Sequence, residues 1–435
     1  MEAFDKIIGY DEVKQELKQF GDILSNSEIY EKLGVTEPRG LLLYGKPGVG
    51  KTLMAEALIK SSGRHAYICR KNEPNGKFVE TIKKTFAEAA ENEPSIVFLD
   101  DMDKFTNGDE DHRDAEEYVM VQSCIDEVRG KRVFVLATAN EIHCLPHSLL
   151  RAGRFDRKIK IMAPSGEDAA NIIDHYLKRK TMVSDVDPTL LARLMKGSSC
   201  AALETVINEA GIYAGMERAD SITMEHIVRA CMKVIYEVSY CSEEENRNCT
   251  GEEISFDKNL YRAYHEAGHA VVSEVLSPQS VTIVSVLGSL ANQNSGFTVY
   301  YREGLEQDVY HMEIRIITSL AGMAAMEQRF GIADTGASKD LDQAFEDCSY
   351  LVQDVCIRGT HLYAYGFRNS QNLQSGQEHA IAQEIERYYQ KAKQILALNR
   401  DFLDKTAEAL RKKKVLLQDD IREIKSKCKI MTVSL

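Results

Sequence analysis

His265, Glu266 and His269 fall within five consecutive residues, His265-Glu266-Ala267-Gly268-His269, and the spacing has a direct chemical meaning. On a helix, residues i and i+4 share one face about 5 to 6 Å apart, so both imidazoles can reach a single metal ion. Glu266 then projects beside that ion. A zinc ion held in this way lowers the pKa of water to roughly 7, and an adjacent carboxylate can take the proton as the water attacks a peptide carbonyl. The histidines are therefore candidate ligands and Glu266 a candidate base. With 11 His in 435 residues, an accidental match is rare. Leu260 to Tyr264 and Ala270 to Val272 give the surrounding helix an apolar face, and Gly268 leaves room for a neighbouring element.

A second kind of chemistry lies far upstream. Gly45-Lys46-Pro47-Gly48-Val49-Gly50-Lys51-Thr52 matches G-x-x-x-x-G-K-[ST], between a strand-like Gly40 to Tyr44 and a helical Leu53 to Lys60. Gly45, Gly48 and Gly50 let backbone N–H groups wrap phosphates, Lys51 reaches the β and γ phosphates of ATP, and Thr52 ligates magnesium. The run Ile96 to Asp101 predicts a buried parallel strand ending in acids, with Asp100 at the magnesium and Asp101 beside the attacking water.

A catalytic zinc site needs a third protein ligand and an open position. Asp340 is the candidate, in Thr335-Gly336-Ala337-Ser338-Lys339-Asp340-Leu341, where Gly and Ser lead into a predicted helix. By spacing alone, an acid in a first helical turn serves equally well as a dipole partner or cap. The pair of strings, HEAGH followed by TGAS-x-D, resembles the peptidase domain of the FtsH family of AAA+ zinc proteases. That resemblance implies Asp340 as third ligand. It also implies that Asn140, after the strand Val133 to Thr138, is a water-orienting sensor, although Asn at a strand end is as readily a turn residue. Arg151-Ala152-Gly153-Arg154-Phe155-Asp156-Arg157 resembles the family's R-x-G-R-F-D-R, which implies that Arg151 and Arg154 enter a neighbouring subunit's ATP site; local surface pairing is the other reading. An arginine finger in trans is worth ~10³ to 10⁵ in rate, so hydrolysis is expected to need a ring, by resemblance a homohexamer.

The likeness runs from Phe4 through nearly the whole chain, with three departures. Asp101 stands where the family has Glu, shorter by about 1.5 Å of reach; misplacement by ~1 Å can cost ~100-fold, so slow ATP turnover is expected. Glu73-Pro74-Asn75-Gly76-Lys77 replaces the aromatic-aliphatic-Gly triplet of the pore loop, and Asp126 to Gly130 replaces an intersubunit Asp-Gly-Phe. Both departures bear on unfolding force and ring coordination, not on zinc.

These sites need elements to hold them. Strands alternating with helices over 1–162 predict an α/β doubly wound parallel sheet; Pro164-Ser165-Gly166 breaks it, and helical spacing over 163–238 predicts a four-helix lid. The acidic stretch in 239–257 reads as a linker, and 258–435 as a mostly helical metallopeptidase domain with a hairpin formed by Val281 to Val286 and Phe297 to Tyr301. By resemblance its edge strand pairs with extended polypeptide substrate, while a purely structural ribbon fits the residues equally.

A net charge of −13 with scattered basic residues argues against a nucleic-acid partner, and the run Arg411 to Lys414 fits a solvated helix end. Ten cysteines without a C-x-x-C pair point to a reducing, cytoplasmic setting. Apolar runs fall short of the ~20 residues that span a bilayer, so membrane association is expected only through a partner. Family members usually carry N-terminal membrane helices; because the ATPase segment comes first here, the expectation is a soluble relative or one whose anchor another protein supplies. The reading that absorbs most motifs is an ATP-dependent zinc endopeptidase using Zn²⁺, ATP and Mg²⁺. Two others stay open: an AAA+ remodelling or regulatory ATPase with secondary or ATP-independent cleavage, and a peptidase whose ATPase only builds the ring.

Overall fold

A computed structural model describes residues 3–72, 75–106, 115–180, 186–238, 258–288, 296–301, 308–332, 335–363 and 371–433. The expected linker, 239–257, and Glu73 and Pro74 lie outside them. The chain forms two compact units, Met1–Cys231 and Met232–Leu435.

In the first unit, helices α1 (Asp11–Ser25) and α2 (Ser27–Lys32) lead into β1 (Gly40–Tyr44), α3 (Lys51–Ser62), β2 (His65–Arg70) and α4 (Asn75–Glu91). Next come β3 (Ser95–Asp100), α5 (Glu116–Glu127), β4 (Val133–Ala139) and β5 (Arg157–Lys160). The strands make one five-stranded sheet, ordered β2-β3-β4-β1-β5, with every pairing parallel. Because helices cover both faces of such a sheet, its central strands read as continuous apolar runs. SIVFLD and VFVLATA are buried at every residue, accordingly. This is the α/β doubly wound architecture expected. Parallel order puts the ends of β1, β3 and β4 on one edge, where ligands of open α/β sheets bind.

Helices α6 (Gly166–Leu177), α7 (Pro188–Leu194), α8 (Cys200–Met216) and α9 (Met224–Val234) follow. Asp187 and Ser199 cap α7 and α8 by accepting from Thr189 N and Ala202 N. The start of α8 packs on the phosphate loop, with Ala201 N donating to the Gly48 carbonyl at 3.1 Å.

The second unit contains α10 (Lys258–Leu276), β6 (Val281–Ser285), β7 (Phe297–Tyr300), α11 (Val309–Phe330), α12 (Ser338–Gln353), α13 (Gln371–Leu398), α14 (Arg400–Lys413), β8 (Val415–Leu417) and α15 (Gln418–Ser426). The hairpin expected from sequence is present, with β6 and β7 antiparallel. A third strand, β8, which the sequence reading placed simply in a helical region, pairs with the other side of β6. Three residues are too few to show alternation, so β8 has no periodic signature. The sheet order β7-β6-β8 buries β6 and leaves β7 on an edge. Arg411 and Lys412 pair with Glu408, and Lys413 with Asp420, at the end of α14.

Candidate active sites

One turn of α10 separates His265 from His269, and their Nε2 atoms lie 3.0 Å apart. Asp340 Oδ2, from the first turn of α12, is 3.2 Å from one and 3.4 Å from the other. The three atoms form a near-equilateral triangle whose edges match the ~3.3 Å between donors of a tetrahedral ion with bonds of about 2.0 to 2.1 Å. Three donors of this kind leave the fourth position open. The donor set therefore fits zinc.

The surroundings fix these side chains. His269 Nδ1 lies 2.7 Å from the Thr318 carbonyl, an acceptor, so Nδ1 carries the proton and Nε2 keeps its lone pair for the metal side. Burial acts to raise the Asp340 pKa, but the contacts with His265 and His269 outweigh it and hold the carboxyl well below its usual range. Two close approaches let α10 and α11 meet here. A Cβ on Gly268 would lie 2.6 Å from the Ala321 carbonyl oxygen, and one on Gly322 would lie 2.5 Å from His265 Cε1 and 2.6 Å from His269 Nε2. Gly268 was legible from sequence. Gly322, which makes room for the imidazoles themselves, was missed; its one sequence signal is the small-residue run Ala321-Gly322-Met323-Ala324-Ala325.

Glu266 is 6% exposed. Thr298 Oγ1 on β7 donates to its Oε2 at 2.9 Å, fixing the carboxylate's rotamer. Burial pushes the Glu266 pKa upward, against the pull of His269, His265 and the Thr298 hydrogen bond. A raised carboxyl pKa suits a group that must take a proton and return it near neutral pH. Thr298 was also missed, because nothing local ties a strand residue to a helix residue so distant in sequence.

In the first unit, Gly50 caps α3 at φ 95°, a left-handed conformation that glycine adopts without strain, and so turns the loop into the helix start. Lys51 Nζ donates to the Gly45 carbonyl at 2.7 Å, the Lys46 carbonyl at 3.1 Å and Asn140 Oδ1 at 2.9 Å. Asn140 in turn donates from N and Nδ2 to Asp103. Asp100 Oδ1 accepts from Thr138 Oγ1 at 2.7 Å and Thr52 Oγ1 at 3.2 Å, and its Oδ2 accepts from Arg70. Burial acts to raise the Asp100 pKa, but the Thr138, Arg70 and Thr52 hydrogen bonds win and keep it below the ordinary value.

Gly45 to Thr52, Asp100 and Asn140 thus converge on one sheet edge. Three residues sit differently. Asp101, at φ 54°, pairs its carboxylate with Lys104 at 2.7 Å. Arg154 donates to the Ser148 carbonyl at 2.6 Å and pairs with Asp126 at 2.8 Å, so in the single chain it is engaged locally, by the very segment that replaces the family's Asp-Gly-Phe. Arg151 is exposed. Arg70, Asp103 and Thr138 were not singled out in the sequence, since each acts through a contact between separate strands or turns.

A phosphate loop on a parallel sheet with a helical lid, followed by an HExxH metal centre, defines an ATPase-linked metallopeptidase. The ATPase family associated with various cellular activities (AAA) matches residues 41–163, and peptidase family M41 matches residues 252–357. The chain is 30% identical to the ATP-dependent zinc metalloprotease FtsH of Pelobacter propionicus, over 97% of this chain and 71% of that protein. Similar proteins of the same name are found in Caldicellulosiruptor bescii, 29% identical over 97% and 72%, and in Thermus thermophilus, 30% identical over 97% and 70%. The chain belongs to the FtsH family of AAA+ zinc metalloproteases. Among the described residues, no helix is long and apolar enough to cross a membrane.

Proposed function

We propose that this chain hydrolyses ATP in its first unit and peptide bonds in its second: it is an ATP-dependent zinc metalloendopeptidase. The observation that carries the reading is the donor triangle of His265, His269 and Asp340 with the buried Glu266 beside it. Zinc held there supplies a Lewis acid for the carbonyl and a water of lowered pKa. The rest of the chemistry belongs to the chain. Glu266 takes the proton of the attacking water and returns it to the leaving amine, while Thr298 holds its carboxylate in line. The edge position of β7 supports its pairing with an extended substrate strand.

For ATP, the glycines of the loop and Lys51 bind phosphates, Thr52 and Asp100 hold magnesium, and Asp101 and Asn140 orient water. Self-assembly in a ring is the family's arrangement, and we assign Arg151 and Arg154 to a neighbour's ATP in a homohexamer. That role requires Arg154 to leave Asp126, Gln122 and the Ser148 carbonyl. We propose a division into a large ATPase subdomain (1–162), lid (163–238), linker (239–257) and peptidase domain (258–435); the family matches at 41–163 and 252–357 support an ATPase segment followed by a peptidase segment. A reducing, cytoplasmic compartment, peripheral to a membrane where a partner provides an anchor, is supported by the free thiol of every described cysteine.

One observation favours a second reading, a peptidase whose ATPase serves mainly assembly: the Asp101 carboxylate is turned to Lys104. Casein cleavage measured with ATP, with a nonhydrolysable analogue and without nucleotide separates the two. Cleavage dependent on hydrolysis supports the first, and equal rates in all three support the second.

A further inference from the structure

Asp100 is almost fully buried, and the cation on it comes from the chain itself. Arg70 ends β2, directly opposite Asp100 in the parallel register of β2 and β3. Its guanidinium pairs with Oδ2, while the other oxygen is taken by Thr138 and Thr52. The two partners differ sharply in exposure, 61% for the arginine side chain and 1% for the aspartate. Arg70 therefore reaches in from solvent to a carboxylate whose burial without a cation is costly. Lys51 cannot play this part here, because its ammonium is held by two loop carbonyls and Asn140.

We propose that Arg70 is a positioning residue for ATP hydrolysis: its guanidinium holds the place of the divalent cation at Asp100 and yields it when magnesium arrives with ATP. The proposal rests on the reading of Asp100 as the magnesium carboxylate. A guanidinium and a divalent ion cannot both sit at contact distance from Oδ2 without strong like-charge repulsion. Arg70 can swing out into solvent, and the arriving ion replaces its charge on Asp100, so the competition is modest and sets how much magnesium the site requires.

The test is binding of a fluorescent ATP analogue to the full chain at increasing magnesium chloride, for the unmodified protein, Arg70→Gln, Arg70→Lys and Asp100→Asn, with thermal melts to verify folding. Removing a half-exposed ion pair predicts that Arg70→Gln reaches half-maximal magnesium-supported binding at roughly two- to five-fold less magnesium. Arg70→Lys, which keeps the charge, should stay within about two-fold of the unmodified chain. An unchanged or higher requirement in Arg70→Gln, or an equal fall in Arg70→Lys, overturns the proposal. Asp100→Asn separates the two levels. If it leaves the magnesium dependence unchanged, the assignment of Asp100 itself fails; if it shifts the dependence while Arg70→Gln does not, only the role of Arg70 fails.

Discussion

Gly322→Ala adds one methyl group to α11 at the point where the metal ligands need the space. The new Cβ would stand 2.5 Å from His265 Cε1, 2.6 Å from His269 Nε2 and 2.7 Å from His265 Nε2, against the 3.4 Å at which ordinary contact begins. The rings must retreat by up to about 0.9 Å, well outside the ±0.2 Å that a well-formed metal site tolerates. Stability and metal affinity should then move differently. Replacing a helical glycine by alanine stabilises by roughly 0.5 to 1 kcal/mol, while overpacking costs ~1 to 3 kcal/mol, so the metal-free protein should lose at most about 2.5 kcal/mol. Zinc affinity should fall by at least the ~10- to 100-fold typical of losing an outer contact to a ligand, with peptide cleavage falling in step. Competition with a chromophoric chelator measures the affinity, and urea unfolding in excess chelator measures the stability. Gly376→Ala, also in a helix but with its nearest neighbour at 3.7 Å, is the control and should leave zinc unaffected. Wild-type zinc affinity in Gly322→Ala would mean that the imidazoles do not lie against α11, and the site geometry would be refuted.

Glu266→Gln should abolish casein cleavage, by at least ~100-fold, while zinc content and ATP binding stay unchanged, because it removes a base and no ligand; full proteolysis by this variant contradicts the assignment. Thr298→Val should lower the rate constant for cleavage about tenfold with zinc retained, and Thr298→Ser should recover it, since it is the hydroxyl that donates to Glu266. Equal rates in Thr298→Val and Thr298→Ser would remove that role. Mixing Arg154→Ala chains with Lys51→Ala chains should restore part of the ATP hydrolysis that each lacks alone, measured by phosphate release; equal ATPase rates in a verified monomer and a ring count against action in trans. Pro74→Phe combined with Asn75→Val should raise degradation of a stably folded tagged domain more than that of casein, because a weak grip matters most against ~5 to 15 kcal/mol of native stability. A wild-type chain that degrades both at one rate would show that grip comes from elsewhere.

The sequence alone determined what is encoded over short spans. An i, i+4 histidine pair lies on one helix face whatever else the chain does, and GKPGVGKT between an apolar strand and a helix has one structural outcome, with Gly50 in its left-handed turn. The continuous apolar runs of β3 and β4 likewise announced a sheet buried on both sides. Residues brought together by packing carried no such signal. Asp340 became a ligand candidate beyond its value as a helix-start acid only through resemblance; the fold then sets its carboxylate beside both imidazoles. Thr298 on Glu266, Gly322 under the histidines and Arg70 on Asp100 were likewise decided by the tertiary structure. The physical reason is that backbone periodicity repeats over a few residues and can be read in a window of that length. Which side chain fills a gap between two elements depends instead on how closely those elements approach, and that distance is set by the whole core of each unit at once.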